Sequence, residues 1–105
     1  MWGQHEESWN QVYNGSEEHK ASWSHELLGG AAGFEAMKAY EDHLARNGQP
    51  QSHAFAKELI AGFAAAEIDK LAETKGLDFI DRERAKHEAK ARAHEMYEQK
   101  YENNY

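Results

Sequence analysis

The stretch HELLGGAAGFEAMKAYEDH, His25 to His43, decides how the chain is read. Its apolar residues recur at helical spacing: Leu27, Gly30, Phe34, Met37 and, just beyond, Leu44 follow one another by three, four or seven positions. Yet Gly29, Gly30 and Gly33 all fall in its first half. Each glycine costs a helix interior about 1 kcal/mol against alanine, so a packing gain must offset them. A second stretch, KELIAGFAAAEIDKLAETK from Lys57 to Lys75, repeats the pattern. At an offset of 32 residues, Glu26-Leu27-Leu28 matches Glu58-Leu59-Ile60, Gly30 matches Gly62, Glu35 matches Glu67 and Lys38 matches Lys70. Small residues let two helix backbones approach closely. Gly29, Gly30, Gly33, Ala61, Gly62 and Ala65 are therefore expected at a helix-packing interface, within the chain or between two copies of it.

Around this pair the rest of the chain falls into place. The segment HEESWNQVY, within residues 1–15, predicts a short helix with Trp9, Val12 and Tyr13 on one side, ended by Asn14-Gly15. The second helix begins between Glu17 and Ser22 and runs to Arg46; Asn47-Gly48 and Pro50 stop it. The third begins after Ser52 as N-cap and closes at Gly76, with Leu59, Ile60, Phe63, Ala64, Ile68 and Leu71 as its apolar side. The fourth follows Asp78, with Phe79, Ala85, Ala89, Ala93, Met96 and Tyr97 as a weaker stripe. Residues 102–105 are expected to fray. The connections are short, so neighbouring helices should run antiparallel. The expected fold is all-α: one domain, residues 1–105, built on a tight antiparallel hairpin with a third long helix packed across it and a short N-terminal helix.

Composition narrows the function classes. The chain has 105 residues, a net charge of −7, seven histidines and no cysteine. The absence of cysteine excludes disulfides, thiolate metal sites and cysteine nucleophiles. An acidic chain whose lysines and arginines alternate with acids, as in RERAKHEAKAR, is a poor match for nucleic acid. No apolar run reaches the ~18–20 residues that span a bilayer, and MWGQHEESWNQ carries no signal pattern. A cytoplasmic location is the expectation.

Two sets of polar residues are candidate ligand groups. Glu35 and Glu67, with His25, His43 and Trp23 nearby in sequence, form the first. At ~100° per residue, Glu67 falls within the arc of Ile60, Phe63, Ala64 and Leu71, and Glu35 flanks Leu28, Ala31 and Ala39. Carboxylates facing each other from two helices can bind a metal or share a proton. The Glu-x-x-His spacing of di-iron sites is missing, because Lys38 and Lys70 stand in the histidine's place. Each glutamate can instead reach solvent or pair with a lysine of its own helix. The second set is Glu83, His87, His94 and Glu98 on the fourth helix, all residue types that ligate transition metals. His87 and His94 are two turns apart, about 10 Å of rise, so one ion would need a further ligand from another helix; i,i+4 Glu–His pairs are also ordinary surface contacts. The sequence identifies no cofactor. Trp2, Trp9, Tyr13 and Trp23 either cover the bundle or line a pocket. No nucleophile–base constellation is visible, and Glu67 is the one acid that an enzymatic reading would name.

The residues VYNGSEEHKASWSHELLGGAAGFEAMKAYEDH, SHAFAKELIAGFAAAEIDKLAETKGLDFIDRERAKHEAK and the terminal Tyr resemble the fungal CipC-like antibiotic response proteins, from about Val12 to Tyr101. Positions shared with that family include Trp23, His25, Glu26, Glu35, Tyr40, Glu41, His43, His53, Glu58, Glu67 and Lys70. The resemblance implies a small cytosolic protein tied to stress or hyphal growth, with a domain of unknown function and no assigned catalytic residue. The leading expectation is a non-enzymatic protein that acts by binding. Self-association as a dimer is favoured, because alanine-rich faces bury little alone; a metal- or small-ligand-binding module is the alternative.

Overall fold

The computed structural model describes residues 3–13, 24–48, 50, 52–77 and 81–102. Trp2, the Asn14-Gly15 turn, Ser16, His19, Ser22, Trp23, Asp78, Phe79 and residues 103–105 lie outside them. Among the described residues four helices follow one another: α1 Gly3–Tyr13, α2 His25–Asn47, α3 His53–Lys75 and α4 Arg82–Tyr97, the last continued by one π turn over Glu98–Glu102. The all-α bundle expected from the sequence is what forms.

Local chemistry sets the helix ends. Ser24 caps α2, its hydroxyl accepting from the Leu27 amide at 3.0 Å. Ser52 does the same for α3 through Phe55 at 3.1 Å. Asp81 caps α4 by accepting from the amides of Glu83 and Arg84. Gly76 closes α3 in the left-handed region, at φ 65°. The Leu77 amide then bonds back to the Ala72 carbonyl at 3.0 Å while its side chain turns into the core.

The ion pairs between helices give their directions. The start of α4 lies beside the end of α3, with Arg82 and Lys86 at 3.4 and 3.2 Å from Asp69. Its end lies beside the start of α3, where Lys57 meets Glu98 at 2.8 Å. The start of α4 also meets the start of α2, through Arg84 and Glu26 at 3.6 Å. So α4 is antiparallel to α3 and parallel to α2, and the α2–α3 hairpin is antiparallel. Leu28, Met37 and Tyr40 from α2, Ile60 and Ile68 from α3, and Ala85, Ala89, Ala93 and Met96 from α4 fill the core, together with Val12 of α1.

Gly29 and Gly33 of α2 are explained by α4. A Cβ on Gly29 would sit 2.6 Å from the Glu88 Cβ and 3.0 Å from the Glu88 carbonyl carbon. One on Gly33 would sit 3.0 Å from the Arg92 Cβ and 3.1 Å from the Ala89 carbonyl oxygen. The Cβ atoms of Glu88 and Arg92 and the α4 backbone at Ala89 and Ala93 lie against these glycines, beside the fully buried Ala85, Ala89 and Ala93. Within the chain, the matching positions of α3 do not share this close approach. Gly62 is exposed and a Cβ there would meet nothing within 4 Å; Ala61 and Ala65 are half-buried. The two repeats run in opposite directions past one shared partner, so the same register cannot face α4 from both. Leu59 and Phe63, expected on the buried side of α3, are only half-buried, and Phe55 is exposed.

Candidate functional site

The paired glutamates of α2 and α3 are both engaged by α1. Trp9 and Tyr13 stand one turn apart on α1, so they share a face. Val12, fully buried, anchors that face in the core. The Trp9 indole Nε1 donates to Glu35 Oε2 at 2.6 Å, and the Tyr13 hydroxyl donates to Glu67 Oε1. The two rings stack on each other with centroids 5.3 Å apart. The Lys38 ammonium lies 4.2 Å above the Trp9 ring and 3.8 Å from Glu35 Oε2. Two residues at equivalent places in the two repeats thus accept from two aromatic donors on one helix.

This arrangement fixes what the glutamates can do. Burial pushes the Tyr13 phenol far above its ordinary range, and the hydrogen bond and negative charge of Glu67, with Glu35 beyond it, push the same way. The phenol is therefore held as a donor and is no base. Both carboxylates serve as acceptors that hold α1 against the bundle.

The other residues singled out in the sequence are dispersed. His25 Nε2 accepts from the Asp81 amide at 3.1 Å, which ties the start of α2 to the start of α4. Its accepting nitrogen makes that imidazole a structural cap. His43 is bonded through Nδ1 to Asn47 Nδ2 at 3.2 Å and tilts against Phe63. It borders an open depression of about 290 Å³ lined by Ala39, Asp42, His43, Arg46, Asn47 and Phe63. Trp23 lies outside the described residues. On α4, His87 is exposed, Glu83 pairs with Lys86 at 3.8 Å, and Glu98 pairs with Lys57. His94 Nε2 donates to the Lys57 carbonyl oxygen at 3.0 Å. These four do not converge, and among the described residues no three histidine, aspartate or glutamate side chains gather as a metal site would require.

A second polar cluster was not singled out from the sequence. Near the C-terminal end of α4, the hydroxyl of buried Tyr97 is hydrogen-bonded to His53 Nδ1 of α3. Tyr101, on the π turn, stacks on Tyr97 at 5.1 Å and donates to Glu41 of α2 at 2.7 Å. Lys100 also bonds Glu41, and Tyr40 meets both tyrosine rings edge-on. Tyr40, Glu41 and His53 stand among the positions shared with the resembled family, and the i,i+4 spacing of Tyr97 and Tyr101 is the further signal for it.

Fold and site together define a small all-α bundle whose N-terminal helix is latched onto paired glutamates. The chain belongs to the virulence factor CipC-like family, whose model matches residues 8–100. No curated protein and no solved structure matches it. No described helix is long and apolar enough to cross a membrane.

Proposed function

We propose that this chain is a small cytosolic stress-response protein that acts by binding, and that its first partner is a second copy of itself. The observation that carries the reading is the outer face of α3. At ~100° per residue, Phe55, Leu59, Gly62 and Ala66 fall on one narrow stripe, opposite the buried Ile60, Ala64 and Ile68. Phe55 is 48% exposed, Gly62 and Ala66 are exposed, and Leu59 is half-buried. A helix that is apolar on both sides has a second surface to cover. The stripe is also complementary to itself. In an antiparallel α3–α3 pairing, Phe55 falls opposite Ala66 and Leu59 opposite Gly62, large against small at each place. A twofold axis demands that kind of matching, since each patch meets its own copy. The stress-response setting is what the resemblance to the CipC-like antibiotic response proteins implies.

The test is native mass spectrometry of the untagged chain, prepared without chelators, alongside Gly62→Leu. A leucine at position 62 meets open space in the single chain, so helix content by circular dichroism should not change. The wild type should be a dimer and the variant a monomer. A monomeric wild type at micromolar concentration overturns the reading. A monomer carrying extra mass favours the ligand-binding alternative instead.

A further inference from the structure

The geometry points to a redox function in the tyrosine cluster: Tyr97 and Tyr101 form a stacked pair that gives up one electron to a radical oxidant of the peroxyl class, with the Tyr97 proton passing to His53. Oxidation of a phenol by one electron makes its hydroxyl a strong acid. The step is easy only where a base already holds the proton. Tyr97 meets that requirement in the Nε2–H tautomer of His53, in which its hydroxyl donates to Nδ1, and His53 is an exposed residue that can pass the proton to water. Tyr101 meets it separately, through the Glu41 carboxylate at 2.7 Å. The two rings stack with centroids 5.1 Å apart and planes 26° apart, a contact over which an electron vacancy can be shared.

The balance is simple. One electron leaves the Tyr97 ring for the oxidant and reduces it. The O–H bond of Tyr97 breaks, and the proton bonds to His53 Nδ1. The products are a neutral tyrosyl radical, an imidazolium and the reduced oxidant. A one-electron donor such as ascorbate reverses the step, the proton returning from His53.

The surroundings favour this pair over the other stacked aromatics. Trp9 and Tyr13 also stack and also donate to bases, but their acceptors are carboxylates, which are weaker bases than imidazole. The Lys38 ammonium 4.2 Å above Trp9 opposes positive charge on that ring, whereas Lys100 lies farther, 5.5 Å, from Tyr101. Tyr97 is only 3% exposed, and electrons pass between it and solutes through the part-exposed Tyr101 ring stacked on it.

The experiment is flash oxidation of the full chain with photogenerated tris(bipyridine)ruthenium(III), followed by freeze-trapping and electron paramagnetic resonance. The wild type should give a neutral tyrosyl signal. Tyr97→Phe, which keeps the ring, should remove most of it, and Tyr13→Phe should leave it. His53→Phe should slow radical formation by about a hundredfold, the low end of what a positioned proton acceptor contributes. An undiminished signal in Tyr97→Phe, or an unchanged rate in His53→Phe with helix content preserved, overturns the assignment.

Discussion

The indole of Trp9 donates to the carboxylate of Glu35 across 26 positions of sequence, at 2.6 Å, and so fixes the short N-terminal helix to the middle of α2. One turn further along α1, Tyr13 makes the equivalent bond to Glu67 of α3. Both acceptors are partly buried, so each lost donor leaves a carboxylate without its bond. Leaving a buried polar group unsatisfied costs roughly 1–3 kcal/mol. The expected result is that Trp9→Phe releases α1 while α2, α3 and α4 stay folded. Hydrogen exchange checks it: the amides of residues 6–13 should lose protection in the variant, and those of residues 85–96 should keep theirs.

The glycines of the two repeats should respond to alanine with opposite signs. At Gly29 the added methyl collides with Glu88, including its backbone, and overpacking of this kind costs about 1–3 kcal/mol. At Gly62 the methyl meets nothing within the chain, so for the monomer, at protein concentrations below dimerisation, only the helix-propensity gain remains, about 0.5–1 kcal/mol in favour of the variant. Urea midpoints of Gly29→Ala and Gly62→Ala, measured together, decide the point. Two shifts of the same sign would contradict the packing of α2 on α4.

The Tyr13 phenol makes stability depend on alkaline pH. Its folded value is raised by burial first and by Glu67 and Glu35 next. A raised folded value means that the contribution is complete below the unfolded value, about 10, and declines as pH rises above it, because only the unfolded chain then releases the proton. Urea unfolding between pH 8 and pH 11 should show stability falling above pH 10, and Tyr13→Phe should flatten that fall.

Much of the fold was legible because its signals are local. Ser52, Asn47-Gly48 and Gly76 mark helix ends through the chemistry of their own side chains or their lack of one. The periodicity of α2 and the repeat at 32 residues are visible within one segment each. What could not be read is which helix each face meets. Gly29 and Gly33 announce a close approach, but nothing in the sequence states that Glu88 and Arg92 supply the other side. The sequence puts the start of α4 after Asp78, whereas the helix begins at Arg82, where Asp81 accepts from the amides of Glu83 and Arg84.

The site was legible to a similar depth. The equivalence of Glu35 and Glu67 followed from the repeat, and so did the choice between solvent, lysine and ligand. Their actual partners, Trp9 and Tyr13, sit on a different helix and were recognised only as aromatics needing a place. The tyrosine cluster was less accessible still, since Glu41, His53, Tyr97 and Tyr101 come from three helices.

The parallel pairing of α2 with α4 also has a bearing on synthesis. The groove at Gly29 and Gly33 is filled by residues some 60 positions later in the chain. A nascent chain that has emerged only through α3 would carry that groove open, with Leu28, Met37 and Ile60 lacking the part of the core that α4 supplies. Such a chain has the hairpin but not its keystone. Chains stalled on the ribosome before Ala85 should therefore be bound by chaperones and cut by protease, and those stalled once residues 85–97 have cleared the tunnel should resist both.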